Sequence, residues 1–441
     1  MSYATARSRG VNSEINKLYP EDRAVHEWYR FVLSFPPHLV RNYLERFGVG
    51  RHQRVLDPFC GTGTVPVECK KLGIASVGVE ANPMAWFASQ IKTEWEPDPD
   101  YLLAHARQIA KIAVARLKAE GIEDTPFFDI SQNGHQTLRT LPEESAKLLL
   151  ADSISPLPLH KTLVLLECLE KYSDEQYRRH ELLALAKALV SSISNLHFGP
   201  EVGVGPSKSD APVISAWLAA VQTMALDLSK VRAMRAIPAH IHLADARQLL
   251  EVIEPASVDA VITSPPYPNE KDYTRTTRLE SVLLGFIHNR AELQALKRGL
   301  VRSNTRGVYK EDDDDLWIAS YPQIQQIAGE IETRRIELGK TSGFERLYAR
   351  VTKLYFGGIA RHLSTLRPIL RPNAQLAYVV GDQASYLRVM IPTGQLVAEI
   401  ARSLGYEVVG IDLFRTRLST ATRSQLREEV VVLRWPGTIT I

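Results

Sequence analysis

Residues 54–80, RVLDPFCGTGTVPVECKKLGIASVGVE, constrain the fold more tightly than any other stretch of the chain. An apolar run ends at Asp57, a turn holds Gly61 and Gly63, VPVECKKLG follows with helical character, and a second apolar run closes on Glu80. This pattern reads as strand, glycine turn, helix, strand, with Gly73 near the helix C-terminus. A helical crossover joins parallel strands, so the unit opens a parallel α/β sheet.

The sheet pattern resumes late. HIHLADARQLL reads as a strand turning into a helix, and SVDAVITSPPY as a buried strand ending at a rigid Pro-Pro turn. Further on, ERLYARVTKLYFGGIARHLSTLRPIL is helical, QLAYVVGD a strand and GQLVAEIARSLG a helix. EVVGIDLF and EEVVVLRW resemble an antiparallel sheet edge. Between the two blocks, from about 95 to 236, the periodicity is helical, broken by the turn-rich FGPEVGVGPSKSDAP. The expected division is a polar N-terminal segment (1–24), a first core part (25–91), a helical insertion and possible target-recognition region (92–237), and a second core part (238–441).

Composition excludes several classes. With 45% hydrophobic and 23% charged residues and no apolar run of spanning length, a soluble protein is expected. MSYATARSRGVNSEINK has no apolar centre behind its basic residues, so no secretory signal is expected and the cytoplasm is the default compartment. The three cysteines, Cys60, Cys69 and Cys168, lack metal-ligand spacing and read as reduced structural thiols. No metal is expected, since the twelve histidines form no ligand cluster either. A net charge of +3 means that any nucleic-acid footprint must come from local Arg and Lys clusters.

The turn Asp57-Pro58-Phe59-Cys60-Gly61-Thr62-Gly63-Thr64 lets a ligand approach the backbone closely and offers it the free N–H groups of a helix start. Glu80 is placed to accept hydrogen bonds from ribose hydroxyls. There is no Gly-Lys-Ser/Thr ending for phosphates, and Pro66 stands where a dinucleotide loop has its third glycine. S-adenosylmethionine, which has no pyrophosphate, fits better than NAD. Ser264-Pro265-Pro266-Tyr267, at the end of a buried strand, presents carbonyls and side chains as preorganised acceptors, because two prolines fix the backbone and remove its donors.

VLDPFCGTGTVPVE, HLADARQL and SPPY together resemble the S-adenosylmethionine-dependent amino-methyltransferases of DNA, the cytosine-N(4) and adenine-N(6) methylases. The resemblance covers about residues 25–91 and 238–436. It implies a doubly wound, mostly parallel seven-stranded sheet of the class I methyltransferase type, Rossmann-like, with the helical region inserted. It implies that the helix at about Phe35 to Phe47 helps enclose the methionine part of the cofactor, and that Asp245 contacts its adenine; the alternative for Asp245 is a helix N-cap. Serine in the first position of the tetrapeptide is typical of cytosine enzymes, while Asp or Asn is more usual for adenine.

In that reading Ser264 and the Pro265 carbonyl accept the hydrogens of a base amine and free its lone pair for direct attack on the methyl. Tyr267 stacks on a base flipped out of double-stranded DNA. Carbon methylation would need a cysteine on the turn, and there is none. The expected partners are DNA and a cognate restriction endonuclease or other defence proteins, with no membrane. Adenine-N(6) methylation of DNA and methylation of a guanine amine in RNA are the rival readings.

Other features stay open. Asn269, Lys271, Asp272, Tyr273, Arg275 and Arg278 either line the base pocket and grip phosphates or belong to a solvated loop entering a helix. The same holds for Arg302, Arg306 and Lys310, and residues 268–345 read as polar and mobile. Asp312 to Asp315 read as a solvated, mutually repelling run without chemistry. Gly381 and Asp382 either shape the base pocket or make a strand-end turn.

Overall fold

The computed structural model describes residues 16–31, 34–124, 137–198, 202–269, 271–418 and 425–437. Most of the polar start (1–15), part of the turn-rich excursion (199–201) and Glu270 lie outside the described residues.

Nine strands form two sheets: β1 (Arg54–Asp57), β2 (Ala75–Glu80), β3 (Leu196–Phe198), β4 (Val202–Val204), β5 (Ala239–Leu243), β6 (Val258–Thr263), β7 (Leu370–Gly381), β8 (Glu407–Leu418) and β9 (Gln425–Arg434). The main sheet has seven strands in the order β5-β2-β1-β6-β7-β9-β8. All neighbouring pairs are parallel up to β7, and β9 runs antiparallel to both β7 and β8. With the β3–β4 hairpin set aside, the order is third, second, first, fourth, fifth, seventh, sixth, the arrangement of the class I methyltransferase fold.

Alternation along the central strands sends side chains to two cores, because successive residues of a strand face opposite sides. Val55, Ala260, Ile262, Ala377, Val379, Val430 and Val432 meet Leu39, Val40, Tyr43 and Leu44 of the helix Pro37–Arg46. Leu56, Val261, Leu376, Tyr378, Val380 and Val431 meet the helices Pro322–Glu337, Tyr348–Leu366 and Thr393–Ser403. A third core joins the helix Pro83–Thr93 to the long helices Pro99–Ala119, Pro156–Lys171, Glu175–Ala188 and Val213–Val231.

Three sequence expectations change. The stretch after β5 does not become an α-helix but a short 3-10 turn, Leu249–Glu251. The turn-rich excursion forms part of the β3–β4 hairpin. The described residues of the stretch 268–345 include the helices Tyr273–Thr276, Arg278–Leu283, Arg290–Arg298 and Pro322–Glu337, and the last buries Ile324, Ile327, Ala328 and Ile331 at helical spacing, which anchors it to the core. Among the described residues no helix is long and apolar enough to cross a membrane.

Candidate active site

Parallel strands deliver their carboxyl ends to one rim, and β9, being antiparallel, brings its first residues to the same rim. The strand order reverses between β1 and β6, where open α/β sheets hold ligands. A cavity of about 820 Å³ opens there, lined by the loop after β1, the end of β2, the turns after β5 and β6, and the tops of β8 and β9.

In the first half of the cavity, Glu80 accepts hydrogen bonds from the amides of Gly61 and Asn82, both at 2.8 Å. Burial pushes this carboxyl above its ordinary range. The two glycines of the loop divide the work. Gly61 (φ 51°) has open space where a Cβ would stand, so a ligand can reach its backbone. Gly63 (φ 82°) lies against the helix Pro83–Thr93, and a Cβ there would come within 2.9 Å of Ser89 Cβ. The buried Lys92 ties the loop down, donating to the Thr62 carbonyl at 2.6 Å and to the Tyr29 carbonyl at 3.2 Å.

Pro58, Phe59, Cys60, Gly61, Thr62 and Thr64 line the cavity, whereas Asp57 and Gly63 stand behind it. Asp57 spans the reversal point: its Oδ1 accepts from Thr263 Oγ1 at 2.6 Å and from the Phe59 amide at 3.2 Å. Burial pushes its carboxyl up to about 7. Its Oδ2 is buried with no hydrogen-bond partner among the described residues. Cys60 is buried and its thiol is pushed well above the usual range, so it has no thiolate character.

Asp245 lines the cavity too, but it caps no helix. Its carboxylate accepts from the Arg247 amide at 2.9 Å and pairs with the Arg247 guanidinium, which reaches on to Asp314. Arg361 pairs with Asp314 from the other side at 3.2 Å. Asp312 is held by Arg302 at 2.7 Å. The acidic run is therefore not a solvated one, since two of its members are neutralised by arginines inside the fold.

These residues fit S-adenosylmethionine. Glu80 and Asp245 place carboxyl groups on the wall of this half of the cavity, which suits a sulfonium cation better than a pyrophosphate. The open backbone at Gly61 leaves room for close approach. Of the stretch expected to help enclose the methionine part, about Phe35 to Phe47, Phe35 lines the cavity and the helix Pro37–Arg46 does not; Tyr29, Arg30, Phe31 and Ser34 line it as well.

In the second half, Ser264 donates its hydroxyl hydrogen to the Val379 carbonyl at 3.2 Å. Ser264 lines the cavity wall, and its hydroxyl also interacts with the Tyr267 phenol. Pro265, Pro266 and Tyr267 line the wall beside it, and the Tyr267 ring lies against Gly381. Asn269, Lys271, Asp272, Tyr273 and Arg275 come to the cavity as well. Arg278 does not: its guanidinium is spent on the Thr274 carbonyl, the Thr274 hydroxyl and the Leu148 carbonyl. Arg302 touches the cavity but its charge is taken by Asp312, and Lys310 lies outside. Arg306 is at the edge, with its guanidinium 5.9 Å from the Phe344 ring.

Sequence reading missed Asn304, Gln383, Arg415, Arg417 and Glu428, all of which line the cavity. They carry no short motif, and the last three arrive through antiparallel pairing of β8 and β9. Among the described residues no group of three or more His, Cys, Asp or Glu could hold a metal ion.

The family UPF0020, an RMKL-like methyltransferase domain, matches residues 35–153. Type II methyltransferase M.BsoBI of Geobacillus stearothermophilus is 27% identical over 97% of this chain and 87% of its own length. Type II methyltransferase M.AvaI of Nostoc sp. is 23% identical over 97% of this chain and 89% of its own. The solved structure of TrmN from Thermus thermophilus aligns with 94% of this chain and 52% of that one, at 10% identity and a TM-score of 0.29, so the fold rests on the strand order itself. This strand order gives the chain the class I S-adenosylmethionine-dependent methyltransferase fold, and along nearly its whole length it is similar to Type II methyltransferases.

Proposed function

We propose that the protein methylates the 4-amino group of cytosine in double-stranded DNA, on a base flipped into the cavity. The observation that carries this is that Ser264, whose hydroxyl donates to the Val379 carbonyl, lines the same cavity as Glu80 and Asp245. An exocyclic amine is a poor nucleophile because its lone pair is delocalised into the ring. Ser264 Oγ and the Pro265 carbonyl accept its two hydrogens, favour a pyramidal nitrogen and return the lone pair to it. S-adenosylmethionine supplies an activated methyl group, so the residues need mainly to align and desolvate the amine.

Tyr267 offers a ring face to the extruded base. Glu80, the Gly61 backbone and Asp245 are the proposed cofactor contacts, and Asp57 is a positioning residue that fixes the loop against β6. An amine target is favoured over ring carbon because the only cysteine at the cavity, Cys60, is a packed thiol on the cofactor side. Serine rather than Asp or Asn at position 264 favours cytosine.

Residues 92–237 are the proposed target reader, reaching the cavity through Phe198 and Val202 of the hairpin. They carry 19 Asp and Glu against 16 Lys and Arg, so general phosphate attraction belongs to the rest of the chain. Similarity to Type II methyltransferases supports a cognate restriction endonuclease as partner. The three free, buried thiols suit a reducing compartment such as the cytoplasm.

The test is labelled methyl transfer from S-adenosylmethionine to duplex DNA and to RNA, followed by base analysis. N4-methylcytosine in DNA is expected. N6-methyladenine would move the target to adenine, and label in RNA alone would overturn the DNA reading.

A further inference from the structure

The rim of the β8–β9 pair carries a charged group that no motif announces. Glu428, only 7% exposed, is paired in register with Gly381 on β7 and with Arg415 on β8. A Cβ on Gly381 would meet the Tyr267 ring at 2.9 Å and Glu428 Cγ at 3.2 Å, so Glu428 and Tyr267 flank the same backbone atom. Arg415 Nε donates to Glu428 Oε2, and Arg417 Nε lies 3.7 Å from Glu428 Oε1. Arg417 also donates to the Asp382 carbonyl at 2.9 Å. All three side chains line the cavity beside the catalytic turn.

This arrangement orients a guanidinium. The bond to Glu428 uses Nε of Arg415 and offsets its charge, and the two Nη groups, which have no hydrogen-bond partner among the described residues, are left to act as a planar fork. A cytosine whose amine sits on Ser264 and Pro265 presents N3 and O2 next to that amine, two adjacent acceptors that a fork can engage together. Adenine presents N1 followed by a C–H, so the second prong of the fork would be left unpaired in a desolvated site.

We propose that Arg415, oriented by Glu428, reads the N3 and O2 edge of the flipped base and is the residue that selects cytosine over adenine. The proposal rests on the methylation of a base amine in DNA argued above. Glu428 is a positioning residue; Arg415 touches the base.

The experiment uses the full-length protein and duplex oligonucleotides carrying the site at which it methylates plasmid DNA. Target cytosine is compared with 3-deazacytosine, in which a C–H replaces the N3 acceptor, for the wild type and for Arg415→Met. In the wild type the deaza substitution should lower kcat/KM by roughly 5- to 150-fold, the span of a well-made bidentate base contact. In Arg415→Met activity on cytosine should fall by a similar factor and the deaza substitution should add little. Glu428→Gln should retain part of the discrimination, and S-adenosylmethionine affinity should be unchanged in both variants. Equal deaza effects in wild type and Arg415→Met would overturn the Arg415 contact while leaving cytosine methylation intact. A wild type that methylates only adenine would overturn both the contact and the cytosine reading.

Discussion

The ring of Tyr267 rests on the backbone of Gly381, where a Cβ would stand 2.9 Å from ring Cε2 and 3.3 Å from Cδ2. Gly381 is not in a left-handed conformation, so the close approach of the ring is what requires glycine there. Gly381→Ala should push the ring off its seat and misplace the stacked base. A loss of about 100-fold in kcat is expected, as for a displacement of about 1 Å in a reacting geometry, with cofactor affinity within threefold of wild type by calorimetry. Unchanged kcat would show that Tyr267 is not part of the base pocket.

Ser264→Ala removes the hydroxyl acceptor while leaving the prolines in place. We expect kcat to fall by about 100- to 1000-fold, the usual cost of losing one preorganised polar contact to a transition state. Affinity for S-adenosylmethionine should stay the same, because Ser264 faces the other half of the cavity. Parallel loss of both would contradict the assignment of two halves.

Asp57 gives a pH signature. Its folded carboxyl titrates near about 7 against an ordinary 3.8, because burial disfavours the charge. Between those values the folded protein keeps a proton that the unfolded chain has released, so this group's contribution to stability falls as pH rises, by at most about 1.4 kcal/mol per pH unit. Buried His26, His180 and His362, each lowered to about 4, act in the opposite sense between about pH 4 and 6.5. Asp57→Asn should therefore be compared with wild type at each pH by thermal unfolding. The variant should gain on the wild type from about pH 5 to about pH 7; a constant difference would exclude a raised Asp57.

Asp314 is 3% exposed and holds both Arg247 and Arg361. Asp314→Ala leaves a buried guanidinium short of its counter-charge and should destabilise the fold by about 3–5 kcal/mol. Because Arg247 also holds Asp245, weaker cofactor binding should accompany the lower unfolding temperature. A fully stable variant would mean that the acidic run is solvated after all.

The pieces legible in the sequence share one property: each lies on a single segment. The glycine loop, Glu80, Asp245 and the Ser-Pro-Pro-Tyr turn sit at strand ends, and parallel strands bring such ends to one rim without any long-range detail being known. Asp312 to Asp315 misled because a charge run is ordinarily solvated, and nothing local reveals that Arg302, Arg247 and Arg361 approach two of its members. Arg278 misled for the converse reason: it adjoins the cavity segment, yet its guanidinium is satisfied by Thr274 and Leu148. The helix expected after Asp245 failed because Asp245 turns back on Arg247 instead of opening a helix.

By itself the sequence determined the parallel sheet, the crossing of strand into glycine loop and the proline turn, since these follow from periodicity and backbone restriction over a few consecutive residues. Only the tertiary structure decided that Asp57 braces Thr263 across the strand reversal, that Gly381 seats Tyr267, and that Arg415 and Glu428 face the cavity. Those relations join residues far apart in the chain through the register of β7, β8 and β9, which is set by packing of two cores and not by any local pattern.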